Sequence, residues 1–214
     1  MTSFVHLKLH TEYSLIDGLL RIKPAMARIA ELAMPAVAIT DHHNFFGLLK
    51  AYKAAAALGI KLIVGADLHV IDPSDQERHH ELCLLAQDET GYQNLMLLLS
   101  EAYQHGQFLG RPRVQLEWVQ ARSAGLIALS GGRQGDVGQA LLHGREGDAR
   151  SALARWMQWF PNRYYLELQR TGRSDEEEHV HAAVRLASEY ACPVVATNDV
   201  RFLDASEFEA HEAR

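Results

Sequence analysis

Cysteine is nearly absent. Cys83 and Cys192 are the only two in 214 residues. They lie far apart, each in an apolar run, so two buried free thiols are expected rather than a disulfide. Long hydrophobic runs are missing as well. Nothing approaches the roughly 20 apolar residues that span a bilayer, and no signal-peptide core opens the chain. Both absences predict a cytoplasmic protein with no membrane partner. Positive charge is in deficit, with 21 Lys and Arg against 27 Asp and Glu and a formal net charge of −6. That excludes a surface built throughout to grip nucleic acid, though not a local basic patch. Six prolines and 15 glycines form no low-complexity tract, and no linker or fixed-period repeat interrupts the chain. With 48% hydrophobic residues, a sizeable core can form and one large domain is the simplest reading.

What is present is an alternation of short apolar bursts with helical patterns. Strands are expected at Val5–Leu9, Ala36–Thr40, Lys61–Val64, Leu68–Ile71, Leu82–Ala86, Leu126–Ser130, Tyr164–Leu168 and Pro193–Thr197. Ile22, Met26, Ile29 and Ala33 mark a helix face with Pro24 in the first turn. Leu95, Leu98, Leu99 and Ala102 mark a second, and Leu153, Trp156, Met157 and Phe160 a third. Ser174 and Glu177 read as a capping box for a helix reaching about Tyr190. Repeated strand–helix alternation predicts a parallel α/β fold. The longest irregular basic segment is HGQFLGRPR, from His105 to Arg113.

The opening stretch HLKLHTEYSLIDG, from His6 to Gly18, carries the first chemistry. His6, Lys8 and His10 alternate onto one strand face, and a histidine pair at i, i+2 that ends a strand is a metal-ligand arrangement. Here the middle position is a lysine. Other polar groups follow later strands: Asp41, His42 and His43 after Thr40; Ser130 to Arg133 after Leu129; Arg170; and Asn198, Asp199 and Arg201 after Thr197. Reactive groups after the C-terminal ends of several strands are typical of a barrel mouth. His, Asp and Glu gathered there suit a polynuclear site that activates water against a phosphate ester. Glu81 fits less well, because it precedes its expected strand. Lys8 and Arg201 would repel a divalent ion, yet would pair well with Asp17, Asp67, Glu81 or Asp199.

Several features take blander readings. His179 and His181 lie two apart on an acidic helix and do not share a face, so a solvated surface is expected. His79 and His80 follow the polar segment DPSDQER and are expected to be exposed. SGGRQGDVG offers an anion site at Gly131, Gly132 and Arg133, but it lacks the lysine and spacing of a P-loop, and a tight strand-to-helix turn accounts for it. DEEE, residues 175 to 178, complements a helix dipole.

In order along the chain, the blocks HLKLHTEYSLIDG, AITDHHNFFGL, IVGADLHV, LLAQDETGYQNL, GLIALSGGRQGDVG, RYYLELQRTGR and VVATNDVRFLDASEFEAHEA resemble the N-terminal PHP (polymerase and histidinol phosphatase) domain of the bacterial replicative DNA polymerase III alpha subunit. The resemblance covers essentially all 214 residues. It implies a distorted seven-stranded (β/α)7 barrel, TIM-barrel-like, with the polar cluster in its mouth. It also implies that residues 1–214 are a PHP domain incomplete at its C-terminus, with palm, thumb and fingers absent from this chain. The parent polymerase's catalytic aspartates and magnesium belong to that palm.

Metal-bearing members of the family hold several ions. Position by position, the resemblance retains ligands at His10, Asp17, His42, Asp67 and Asp199, with Asp67 standing where a glutamate is usual. Substitutions fall at Lys8, Glu81, Gly132 and Arg201, and Arg170 and Thr171 depart from the family's Asp-His pair. The expectation is therefore a metal-free, hydrolytically inactive domain with no cofactor of its own and no catalytic residue. It would serve as scaffold for the rest of the alpha chain and as docking site for a proofreading exonuclease subunit, and would meet DNA through the parent polymerase. The alternative is a residual phosphoesterase using zinc or manganese, a 3′–5′ exonuclease or a pyrophosphatase. The GYQNL and SGGRQGDVG blocks disfavour a free-standing histidinol-phosphate phosphatase.

Overall fold

The computed structural model describes residues 4–15, 18–73 and 75–213. Packing of the backbone divides the chain into two units, Met1–Ala66 with Asn198–Arg214, and Asp67–Thr197.

In the first unit, helix α1 (Ile22–Glu31) buries Ile22, Ala25, Met26 and Ile29. Pro24 sits in its first turn, where no intrahelical donor is needed. Ala33, which extends the apolar spacing, lies beyond the helix end with a left-handed φ of 53° and is exposed. Strand β1 (Ala36–Ile39) is buried on both faces and pairs in parallel with the start of β2 (Lys61–Asp72), Ala36 opposite Lys61. Parallel neighbours need a crossover, and α2 (Leu48–Ala57) supplies it. Leu9, Leu20, Met26, Val37, Ile39 and Ala51 share the core. The opening segment, expected as a strand over Val5–Leu9, forms single bridges instead: His6 with Val37, and Leu9 with Val200. A bend at Leu7 interrupts any ladder. It occupies a strand's place without a strand's hydrogen bonding.

In the second unit, β2 continues through Asp67 to Asp72 and meets β3 (Asp75–Ala86). Two expected strands, Lys61–Val64 and Leu68–Ile71, are thus one. The latter part of the segment DPSDQER is the outer half of β3, exposed from Gln76 to His79, and Glu81 lies inside that strand. There follow α3 (Glu89–His105), β4 (Gln107–Phe108), β5 (Arg111–Pro112), α4 (Leu116–Ala121), β6 (Leu126–Leu129), α5 (Asp136–Leu142), α6 (Glu146–Trp159), β7 (Tyr164–Leu168), α7 (Glu176–Tyr190) and β8 (Val194–Ala196). Six strands run in the hydrogen-bonded series β1-β2-β3-β6-β7-β8; among the described residues no seventh strand joins it. The series is mixed rather than parallel. β6, β7 and β8 are parallel neighbours, but β3 and β6 run antiparallel, Cys83 opposite Leu129.

Packing in this unit centres on Trp156. Its ring stacks on Tyr164 at 6.1 Å between centroids, and its Nε1 donates to Asp136 at 2.9 Å. Cys83 and Cys192 are buried and free. Helix α3 starts at Asp88, whose side chain accepts from Gly91 N at 2.9 Å. A Cβ on Gly91 would collide with the carbonyl of Gly125. His179, expected on a solvated face, is buried with Val180, Ala183, Leu186 and Ala187 on the inner face of α7, and burial lowers its pKa. No helix among the described residues is long and apolar enough to cross a membrane.

The capping box expected from Ser174 and Glu177 is not formed. The helix begins at Glu176, whose buried carboxylate accepts from Thr171 N at 2.6 Å, Thr171 Oγ1 at 2.5 Å, Gly172 N at 2.8 Å and Arg173 N at 3.2 Å. Burial alone would raise this carboxyl's pKa, but the donors from Thr171, Gly172 and Arg173 bring it below the ordinary value. A lowered folded-state pKa contributes stability that is complete above the unfolded value and is lost as pH falls through the folded one. Glu176→Gln is therefore expected to cost about 1.5–3 kcal/mol at neutral pH, the range for hydrogen bonds to a charged group. Urea unfolding between pH 7 and pH 3 should show the gap between wild type and variant closing on the acid side.

Candidate functional site

The first unit builds its polar cluster on Asp41, which follows β1. The buried Asp41 carboxylate accepts from Thr11 N at 2.6 Å and Thr11 Oγ1 at 2.7 Å, and from Ser14 Oγ at 2.7 Å. It thereby holds the turn after the opening segment, and Thr40 Oγ1 accepts from Leu9 N at 3.0 Å beside it. Ser14 gives its only hydroxyl proton to Asp41. Its other contacts, His42 N at 3.2 Å and His10 Nδ1 at 3.3 Å, must donate to it. That assigns the proton of His10 to Nδ1 and turns Nε2 the other way. Asn44 Nδ2 adds bonds to the carbonyls of Tyr13 and His42 at 2.9 and 2.8 Å.

His10 and His42 come together, rings 4.3 Å apart between centroids and with nitrogens within 4.8 Å of one another. His10 Nε2 stands 3.7 Å from Asp199 Oδ1, and Arg201 Nε donates to Asp199 Oδ2 at 2.9 Å. Lys8 is buried. Burial would raise the Asp199 carboxyl's pKa, but the charges of Lys8, His10 and Arg201, with the Arg201 hydrogen bond, hold it below the usual range. The closing segment is fixed here by backbone bonds as well, His10 N to Val200 O and Leu19 N to Arg201 O, each 2.9 Å. Five positions singled out from sequence thus meet in one unit: Lys8, His10, His42, Asp199 and Arg201. Asp17 lies outside the described residues.

The remaining positions belong to the second unit. Asp67 is fully buried on β2, next in the chain to Ala66. Glu81 lines a cavity of about 290 Å3 with Asp72, His80 and Arg155, and His80 Nε2 lies 3.1 Å from Asp72. His79 is exposed, His80 only half so. Gly131 and Gly132 have left-handed φ values of 74° and 56°, and a Cβ on Gly131 would meet the carbonyl of Glu81. This is the tight turn into α5. Arg133 NH1 faces Asp175 at 3.1 Å. A Cβ on Gly132 would lie 3.3 Å from the Gln169 side chain. Glu167 was not singled out from sequence. It is buried in β7 and accepts from Thr197 Oγ1 and, at 3.0 Å, from Gln169 Nε2. The available signal was a lone charge inside the apolar strand YYLEL. Arg170 pairs with Glu177 on the surface at 2.7 Å.

The charge balance in the first unit is testable. Removing one partner of a buried ion pair typically costs about 3–5 kcal/mol, because the other charge is left uncompensated. Arg201→Ala should lower the thermal midpoint by several degrees. Alanine at Arg150 or Arg185, whose ion pairs are exposed, should change it little. Equal effects at the three sites would show that Asp199 does not depend on Arg201.

Comparison with known proteins places this arrangement. The chain is 50% identical over 212 residues to the DNA polymerase III subunit alpha of Pseudomonas aeruginosa and 52% identical over 212 residues to that of Escherichia coli. The match takes in 99% of this chain but about 18% of each relative's length. Among solved structures, a candidate metal-dependent phosphoesterase from Bifidobacterium adolescentis matches with a TM-score of 0.62 at 14% identity, covering 94% of this chain and 88% of its own. An amidohydrolase from Chromobacterium violaceum, solved with bound sulfate and no metal, matches at 0.57 and 16%, covering 98% and 96%. The PHP domain family matches residues 6–171, and with that match across most of its length the chain belongs to the PHP domain family.

Proposed function

We propose that this chain is the PHP domain of the polymerizing subunit of a replicative DNA polymerase. In this reading its phosphoesterase site has been converted from metal binding to internal charge pairing. The domain serves as scaffold for the rest of the alpha chain and as the surface on which a proofreading exonuclease subunit docks. The parent's magnesium-dependent nucleotidyl transfer, and its contact with DNA, belong to the remainder of the alpha chain. The observation that carries the reading is Asp199, held ionised by Lys8 and Arg201. In a metalloenzyme the compensating charge for such a carboxylate comes from the ions. Among the described residues of the first unit the ligand positions that remain are His10, His42 and Asp199, and two side-chain cations act on the same carboxylate. That set does not fit a polynuclear centre, and no hydrolytic step is assigned to it.

The residual-phosphoesterase reading rests on the nearness of His10 and His42, two imidazoles of a kind that suits a single zinc or manganese ion. Metal content separates the two. After dialysis, elemental analysis of the purified chain should find no stoichiometric zinc, manganese or iron. Lys8→His combined with Arg201→His replaces both cations by ligands beside His10, His42 and Asp199. The double variant should take up zinc while wild type does not; the two changes belong together, since either alone leaves the charge balance half undone. A stoichiometric ion on wild type would overturn the converted site. For the scaffold, the chain mixed with a proofreading exonuclease subunit should co-elute with it in gel filtration, unchanged by chelator. Separate elution would overturn the docking role.

A further inference from the structure

Away from the His10 cluster, the second unit holds a cavity of about 360 Å3 beside the β4–β5 ribbon. The segment 105–113, read from sequence as an irregular basic loop, forms this ribbon. Gln107 pairs with Pro112 and Phe108 with Arg111, and Leu109 and Gly110 turn through left-handed φ values of 49° and 78°. That is the backbone of a two-residue hairpin turn. The turn projects Leu109, 89% exposed, and sets Arg111 and Arg113 on the cavity wall.

Arg113 is the unusual group. Only 6% exposed, it donates NH1 to the Gln76 carbonyl at 2.8 Å and lies over the Phe108 ring at 4.0 Å. Its Nε is buried without a hydrogen-bond partner. Neither Arg113 nor Arg111 has a carboxylate at ion-pair distance among the described residues. A buried guanidinium is normally paired, so one that lines a cavity without a counter-charge marks a place for an anion. His69 and His79 complete the wall, rings 4.0 Å apart. Burial, then the charges of Arg113 and Arg111, lower the pKa of His79 against the opposing pull of Glu81. One acidic side chain, Glu77, also lines the cavity and is exposed.

We propose that this cavity binds a phosphate group. Two guanidinium forks and two imidazoles offer more N–H donors than one carboxylate can accept in a single pocket, whereas the terminal oxygens of a phosphate suit them. The site is independent of the domain's proposed scaffold role and of the His10 cluster. Its phosphate comes either from a free nucleotide or from a single strand of DNA, which share the same group.

The test is titration of the chain, labelled with 15N, by inorganic phosphate, thymidine monophosphate and a short oligothymidylate. Saturable shifts are expected at the amides of His69, His79, Phe108 and Arg111 with all three. A tighter oligothymidylate identifies a strand as the source, and equal affinities identify a free nucleotide. Arg111→Gln changes an exposed side chain and leaves the fold intact. It should weaken binding about tenfold, the equivalent of about 1.4 kcal/mol, as should His79→Gln, while Arg185→Gln, at an exposed ion pair, leaves the titration unchanged. The proposal fails if phosphate produces no saturable shifts, if Arg111→Gln binds like wild type, or if an acidic peptide binds the cavity more tightly than phosphate.

Discussion

An ionised carboxylate taken out of water must be compensated, and in the first unit that constraint falls on Asp199. The cost of leaving it unpaired is several kcal/mol, so the fold needs positive charge at this point. Lys8 comes from the opening segment and Arg201 from the closing one. Charge compensation therefore ties together two stretches almost the full chain length apart, along the same line as the Leu9–Val200 bridge. A lysine inside the opening histidine pattern is then a structural requirement. An alanine there would remove a counter-charge from Asp199, and a histidine would restore a ligand but not a permanent cation.

Asp41 shows a second division of labour. It sits in the motif Thr40-Asp41-His42, where an acid beside a histidine invites reading as a ligand. Its carboxylate instead accepts from Thr11 and Ser14. Through Ser14 it sets the proton on His10 Nδ1 and receives the chain at His42, so it orients both imidazoles without touching anything they bind. Such an outer carboxylate serves a metal centre and a metal-free cluster equally well.

Legibility followed burial. β7, over Tyr164–Leu168, and the buried face Leu95, Leu98, Leu99 and Ala102 of α3 agree with their apolar spacing, because each is decided by contact with one core. The pairing of Asp199 with a cation was legible because charges inside a strand-end cluster have few ways to be satisfied. The outer half of β3 was not, since both its faces meet water and the residues 75–79 carry no period-2 signal. The opening segment has that alternation but not the ladder, which depends on neighbours. His179 was misplaced because its helix is acidic on one side only; burial is set by the packed face, not by mean polarity. The hairpin at 107–112 hid behind Leu109, a residue that sequence reasoning does not place at a left-handed position.

Fixed cations and bound ions stabilise a carboxylate differently. An ion draws ligands to about 2.0–2.3 Å and binds only as tightly as its concentration and the local pH permit. A lysine or arginine supplied by the chain is always present, and its charge persists far above physiological pH. In the first unit Arg201 Nε donates to Asp199 at 2.9 Å, while His10 Nε2 stands 3.7 Å from the same carboxylate, too far for a hydrogen bond. A domain whose task is to hold partners gains from that exchange, because its stability no longer follows metal supply. Under the proposed scaffold role, Lys8 and Arg201 thus supply Asp199 with a counter-charge that needs no ion.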